Sequence, residues 1–317
     1  MSWISCSFEG DDLAEPLICL MGPTAAGKTD AAVALAESFD VELISVDSAL
    51  VYRGLCIGAA QPDYPHHLIE IRAPPAEYTA ANFVEDTLSC IADARARGRR
   101  AVLVGGTMMY YRALIEGLSD LPSSDQVIRA EIELEASQVG WPEMHRALSA
   151  VDPDTAKSLH PNHSQRISRA LEVFRQTGTP MSQWQRANTQ EGRAAICLAL
   201  APEHRATLHA RIETRFDRML EAGFVEEVET LFDRGDLHTD LPAIRAVGYR
   251  QIWSHLSGEY SLVDARNKGI AATRQLAKRQ ITWLRGWSGL HWIDSEAKDG
   301  QEQVKNHLRN YLEAPLS

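Results

Sequence analysis

The chain has 317 residues, 44% of them hydrophobic and 24% charged, with a formal net charge of −11. That length exceeds what one core usually serves, so two lobes are expected, and no apolar run approaches the ~18 residues of a membrane span. Four acids and no Lys or Arg stand in the first sixteen residues, which points away from a signal or transit peptide and toward a cytoplasmic protein. The five cysteines (Cys6, Cys19, Cys56, Cys90, Cys197) are scattered and lack C-x-x-C spacing. Reduced thiols are expected, with neither a zinc site nor a disulfide framework.

The first predicted strand, 17–21, runs straight into Gly-Pro-Thr-Ala-Ala-Gly-Lys-Thr at 22–29 and then into a helical run ending near 38. G-x-x-x-x-G-K-T between a strand and a helix is a phosphate-binding loop in its required context. Gly22 and Gly27 let the backbone of Pro23, Thr24, Ala25 and Ala26 curl, so that successive N–H groups point inward at a helix N-terminus. Lys28 can reach the terminal phosphates, and the Thr29 hydroxyl can hold a magnesium ion.

Further strands are predicted at 41–46, 68–71 and 101–104, with helices at about 80–97 and 107–116. This alternation predicts an α/β fold, a P-loop NTPase-like parallel sheet flanked by helices. Ligands gather at the carboxyl ends of such strands, where Asp47 follows Val46 and Thr107 follows Val104-Gly105-Gly106. A carboxylate at 47 suits a general base or an outer magnesium ligand, and equally a helix N-cap. Strand patterns then vanish, and 121–190 reads as a helical insertion domain with starts at Asp152-Pro153 and Ser164 and a stop at Gly178. The remainder, 1–120 with 191–317, forms the core. Residues 195–201 are predicted to rejoin the sheet, and long helices follow at about 203–234 and 263–285.

Several absences narrow the chemistry. The strand 101–104 ends in Gly-Gly-Thr where most P-loop hydrolases carry an acid, and neither N-K-x-D nor D-D-x-x-D is present. His66 and His67 are adjacent, so in a strand they face opposite sides and cannot chelate together. Trp283 and Trp287, four apart, suit packing on one helix face. Arg166 and Arg169, three apart, could grip a phosphate backbone together. Between Ala265 and Gly286 there are six basic residues and no acid. That segment suits a polyanionic partner at one face, or else a solvated helix surface.

Taken together, these segments resemble the tRNA dimethylallyltransferases, also called tRNA isopentenyltransferases, of bacterial type. The likeness rests on 22–29, Val-Asp-Ser-Ala-Leu-Val-Tyr (46–52), Pro-His-His-Leu-Ile (65–69) and Leu-Val-Gly-Gly-Thr-Met-Met-Tyr (103–110). It continues through His-Pro-Asn (160–162), Gln-Arg-Ile-Ser-Arg-Ala-Leu-Glu-Val (165–173), Ile-Arg-Ala-Val-Gly-Tyr-Arg-Gln (244–251) and Thr-Arg-Gln-Leu-Ala-Lys-Arg-Gln-Ile-Thr-Trp-Leu-Arg (273–285). The resemblance implies transfer of a dimethylallyl group from its diphosphate to the exocyclic amine of an adenosine beside the anticodon. Magnesium would assist, and pyrophosphate would leave.

By resemblance, Asp47 takes the amine proton, Lys28, Thr29 and Arg215 stabilise the leaving pyrophosphate, and Thr107 contacts the extruded adenosine. Contacts to the anticodon stem-loop would come from Asp47, Ser48, Ala49, Leu50 and Arg129, and from Gln165, Arg166, Ile167, Ser168 and Arg169. Arg245, Ala246, Val247, Gly248, Tyr249 and Arg250 would add to them. So would the last stretch, Lys278, Arg279, Gln280, Ile281, Thr282, Trp283, Leu284 and Arg285. Nothing in the sequence asks for a membrane, and a monomer suffices.

Two departures from the family pattern stand out. After Gly58 the family usually reads Thr-Ala-Lys-Pro, whereas this chain has Ala59-Ala60-Gln61-Pro62, and the stretch to Pro65 is shorter. The C-terminal zinc finger of some eukaryotic relatives is absent. An enzyme acting on free adenine nucleotides, a small-metabolite kinase and an ATP-gated RNA-binding module remain rivals. The basic 266–285 segment and the helical insertion disfavour the first, and the downstream strings disfavour the second. The third would bind nucleotide without changing the RNA covalently.

Overall fold

The computed structural model describes residues 15–117, 121–187 and 192–315. The chain divides into two compact units, Met1–Ile115 with Arg193–Ser317, and Glu116–Gly192. The expected boundaries at 120/121 and 190/191 touch residues outside the described ones, as does Cys6. The other cysteines are free thiols, Cys19 and Cys197 buried and Cys56 and Cys90 partly so.

The larger unit is built on five parallel strands, β1 (Leu17–Met21), β2 (Val41–Val46), β3 (Arg100–Gly105), β4 (Ala195–Ala201) and β5 (His291–Asp294), in the order β2-β3-β1-β4-β5. Both faces are covered, which is why β1 reads as an unbroken apolar run. Leu17, Cys19 and Met21 join one core with Ile44, Leu103 and Phe216. Ile18 and Leu20 join the other with Ala32, Leu35 and Leu43. The first crossover from β1 leads to one side of the sheet, and β3 then connects to β4 on the other. The switch point therefore lies at the carboxyl end of β1, where ligand sites of open α/β sheets form.

Helix α1 (Lys28–Ser38) starts immediately after the phosphate loop, α2 (Ala80–Ala96) joins β2 to β3, and α3 (Met108–Glu116) leaves β3. Thr79 and Asn82 form a reciprocal capping box at the start of α2, Asn82 N–H donating to Thr79 Oγ1 at 3.2 Å and Thr79 N–H to Asn82 Oδ1 at 3.1 Å.

The smaller unit is all helix: α4 (Gln126–Val139), α5 (Trp141–Val151), α6 (Pro153–Ser158), α7 (Ser164–Thr177) and α8 (Met181–Ala187). Asp152 caps α6, accepting the Thr155 N–H at 3.1 Å, and Gly178 ends α7 at φ 70°. Its core joins Ile132, Met144, Leu148, Ile167 and Leu171. After β4 the chain makes α9 (Arg205–Glu221), α10 (Phe224–Phe232), α11 (Tyr249–Leu256), α12 (Leu262–Arg285) and, beyond β5, α13 (Gly300–Leu312). Among the described residues no helix is long and apolar enough to cross a membrane.

Two expectations are corrected, and one strand was not foreseen. Residues 68–71 form no strand: Leu68 and Glu70 sit at φ 64° and 54°, and only isolated bridges form, Ile44 with His67 and Tyr52 with Arg72. Left-handed residues two apart cannot propagate an extended ladder. The helix expected over 203–234 is two helices, parted at Gly223 with φ 97°. The strand β5 went unforeseen because it is four residues long at a sheet edge, with one buried side chain, Ile293.

In the helical unit, Glu172 is fully buried, accepts Ser124 Oγ–H and Asp125 N–H at 2.7 Å each, and pairs with Arg169 at 3.0 Å. Glu172→Ala strands the guanidinium and two donors, so urea denaturation should show a loss of about 3–5 kcal/mol. Retained stability would mean that these groups reach water instead.

Candidate active site

The loop between β1 and α1 has the geometry its sequence asks for. Ala25 and Gly27 take left-handed φ values of 62° and 88°, flanking Ala26, which turns consecutive N–H groups to one side as α1 begins. Gly22 is needed for a different reason: a Cβ there would lie 2.2 Å from the Leu200 carbonyl oxygen of β4.

Lys28, at the first position of α1, donates from Nζ to the Pro23 carbonyl at 2.7 Å. Its pKa is lowered to about 7, mainly by burial and then by the Arg215 charge, while Asp47 opposes the shift. Arg215 is likewise lowered by burial and supported by Asp47. Lys28, Thr29 and Arg215 face one cavity of about 1990 Å³ together with Arg211, Arg218 and Lys298. The phosphate-loop motif placed Lys28 and Thr29 near phosphate, and the family resemblance added Arg215. Arg211, Arg218 and Lys298 were not singled out, because nothing local marks a helix residue as cavity-facing.

Asp47 performs the capping role and keeps an oxygen in reserve. Its Oδ1 accepts the N–H groups of Ala49 (2.8 Å) and Leu50 (3.3 Å), while Oδ2 has no hydrogen-bond partner among the described residues. The segment it caps is a turn, not a helix. Thr107 binds the same turn: its Oγ1 accepts Ser48 N–H at 3.2 Å, and its own N–H donates to Val46 O at 3.2 Å. The ends of β2 and β3 are thus tied together beside the phosphate loop.

Two long-range clamps brace the site. Gln280 of α12, 8% exposed, accepts Thr24 N–H at 2.9 Å through Oε1 and donates from Nε2 to Gly106 O at 2.8 Å. Glu227 of α10 accepts the N–H groups of Cys56 (3.1 Å), Ile57 (2.6 Å) and Gly58 (3.1 Å) and the Tyr249 hydroxyl (2.6 Å). This fastens the loop that supplies the Cys56–Tyr64 wall of the cavity. Gln61, standing where the family usually has lysine, lines that wall, and its buried Oε1 has no hydrogen-bond partner among the described residues.

The expected RNA-contacting residues divide by burial. Ser48, Gln165, Arg166, Arg245, Arg250, Lys278, Arg279, Thr282, Trp283 and Arg285 are exposed, and Ala49, Arg129, Ala246, Val247 and Ile281 are partly so. Leu50, Ile167, Ser168, Gly248, Tyr249, Gln280 and Leu284 are buried and serve the core or the clamps, so they offer no side chain to a macromolecule. Arg169 is committed to Glu172 and to the Pro122 carbonyl, so it does not act in tandem with Arg166.

The basic run narrows as well. Arg266 pairs with Asp217 at 2.7 Å and Arg274 with Glu213 at 2.7 Å, which leaves Lys268, set over the Tyr260 ring, and Lys278, Arg279 and Arg285 without acidic partners among the described residues. Trp283 is 38% exposed, with the Arg112 guanidinium 5.9 Å from its ring centroid. His66 and His67 take separate partners, Tyr64 O and Glu42, each at 2.7 Å.

Fold and site define a P-loop-type α/β protein whose cationic cavity suits a diphosphate. The IPP transferase family model matches residues 50–287, and the chain belongs to that family. It is 52% identical over 301 residues to the tRNA dimethylallyltransferases of two Coxiella burnetii strains, Dugway 5J108-111 and RSA 493, covering 92% of this chain and 97% of each relative. The crystal structure of the tRNA isopentenylpyrophosphate transferase of Bacillus halodurans matches at 34% identity with a TM-score of 0.68, over 94% of this chain and 97% of that one. A eukaryotic dimethylallyltransferase shares the fold at 24% identity with a TM-score of 0.78, over 93% of this chain and 78% of its own.

Two outcomes are expected of this geometry. Because its pKa is about 7, Lys28 should react with acetic anhydride well below the pH at which exposed lysines do. A bound diphosphate favours the charged ammonium, so pyrophosphate should move that midpoint upward. Peptide mass spectrometry across pH reads both. Gln280→Ala removes the hydrogen bond to Thr24 N–H that ties the phosphate loop to the Gly106 carbonyl, so pyrophosphate affinity should fall about tenfold by calorimetry. The melting temperature serves as the folding control.

Proposed function

We propose that this chain transfers a dimethylallyl group from dimethylallyl diphosphate to the exocyclic amine of the adenosine beside the anticodon of a tRNA, releasing pyrophosphate. The observation that carries the reading is the pairing of a cationic phosphate loop with a carboxylate oxygen left free at its edge. Lys28 and Arg215 share the cavity, and Asp47 lies within Coulombic reach of both. The names of the relatives, tRNA dimethylallyltransferase at 52% identity and tRNA isopentenylpyrophosphate transferase at 34%, agree.

In this reaction the bond from the allylic carbon to the diphosphate oxygen breaks and a carbon–nitrogen bond forms. Charge grows on the departing pyrophosphate, where Lys28, Arg215 and the loop N–H groups stabilise it. The amine becomes acidic as it bonds to carbon, and Asp47 Oδ2 accepts its proton while Oδ1 keeps the turn in place. Thr107, already tied to that turn, would contact the adenosine. Extrusion of the base costs little from a single-stranded loop.

The donor set also suits magnesium. Thr29 presents an exposed hydroxyl beside the loop, and magnesium commonly takes one or two protein oxygens plus substrate phosphates and water. Bound there, the ion would supply further charge neutralisation on the pyrophosphate. The acid that P-loop hydrolases place after a strand like β3 is replaced by Gly105-Gly106-Thr107, which weighs against phosphoryl transfer to water.

Incubation with tRNA, dimethylallyl diphosphate and magnesium, followed by nucleoside mass spectrometry, should show one five-carbon unit added to adenosine. Modification of free AMP in preference to tRNA would overturn the reading. Asp47→Ala should slow turnover by roughly 10²–10⁴ with tRNA affinity nearly unchanged, because a general base acts in the transition state. Wild-type turnover would leave Asp47 with its capping role alone.

A further inference from the structure

A second cavity, of about 690 Å³, lies across α9 from the phosphate site. Arg211, Arg215 and Arg218 of that helix face the first cavity, whereas Arg205, Leu208 and His209 line the second. Its floor is apolar, made by the buried side chains of Leu208, Ala277 and Ile293. Its rim carries exposed Arg205, Lys278 and Arg285 and the indole of Trp292, which is 43% exposed. On α12, Lys278, Ile281, Thr282 and Arg285 recur at spacings of three and four, so one face of the helix supplies this wall.

The charges here are unspent. Arg205 donates only to His209 of its own helix, at 3.2 Å, and neither Lys278 nor Arg285 has a carboxylate partner among the described residues. Two acids also line the cavity: Asp294, whose Oδ1 accepts the N–H groups of Glu203 (3.1 Å) and Glu296 (2.9 Å), and Glu203, so three cations without a carboxylate partner face two carboxylates. In a chain of net charge −11, three unpaired cations around an apolar slot with an exposed indole form a distinct chemical signature. Flat aromatic surface beside free cations is how proteins hold single-stranded nucleotides, base on ring and phosphate on charge. The volume lies within the range of small-ligand sites.

We propose that this groove binds a second, unmodified nucleotide of the RNA substrate, its base stacked on Trp292 and its phosphates held by Arg205, Lys278 and Arg285. The inference rests on the tRNA reading above and adds a contact outside the reacting site. Trp292, Arg205 and His209 belong to none of the segments the family resemblance assigns to tRNA.

The test uses the full chain and a labelled stem-loop RNA with an adenosine following the anticodon. Fluorescence anisotropy across a KCl series gives affinity and salt slope for wild type, Trp292→Ala, Trp292→Phe and Arg205→Gln. Trp292→Ala should weaken binding about 5- to 100-fold, Trp292→Phe should retain most of the affinity, and Arg205→Gln should lower the slope by about 0.7. Turnover at saturating RNA should be unchanged in all three. Wild-type affinity and slope in both Trp292→Ala and Arg205→Gln would overturn the proposal. So would AMP binding that depends on Trp292 while RNA affinity does not, since the groove would then serve free nucleotides. The two readings separate cleanly. Prenylation with variant-insensitive affinity sinks the groove alone, and Trp292-dependent RNA binding without prenylation sinks the reaction alone.

Discussion

The 2.7 Å hydrogen bond from Lys28 to the Pro23 carbonyl holds a cation where burial, the Arg215 charge and the positive end of α1 all oppose it. Asp47 is the carboxylate that offsets part of this cost, and it does so from a distance without neutralising the site. The cavity therefore keeps an unmet demand for negative charge, which an incoming diphosphate would satisfy. Much of the larger unit can be understood as the support that such a destabilised arrangement requires.

That support is supplied by side chains that hold the backbone of the site in place. Gln280 joins the phosphate loop to the Gly106 carbonyl, and Glu227 gathers three consecutive N–H groups of the facing wall. Thr107 and Asp47 close the remaining gap between β2 and β3. Each is a hydrogen bond to a charged or backbone group in a partly dry environment, where a lost partner is expensive. Preorganised donors of this kind act without rearranging when charge moves.

Charge distribution completes the picture. The chain is acidic overall, yet α9 supplies Glu213 and Asp217 to quiet the N-terminal part of the basic helix α12. Apart from Lys268, set over the Tyr260 ring, what remains positive is its C-terminal part, close to Gln280 and therefore close to the reacting site. An RNA-directed field is localised in this way on a protein whose net charge would repel RNA.

The sequence by itself determined the phosphate loop, the parallel core and the helical insertion. The loop was legible because an anion nest is made of consecutive residues between a strand and a helix. The sheet was legible because strands buried on both faces read as continuous apolar runs, as in Leu17–Met21 and Ala195–Ala201. The role of Gln280 was not legible, since its partner Thr24 lies 256 positions away and the glutamine sits within a basic, RNA-like string. Nothing in the sequence marked Glu227, and Tyr249 read as an RNA contact, until packing turned both inward. Only the tertiary structure could decide which face of a helix meets the core, because that depends on neighbours remote in the chain.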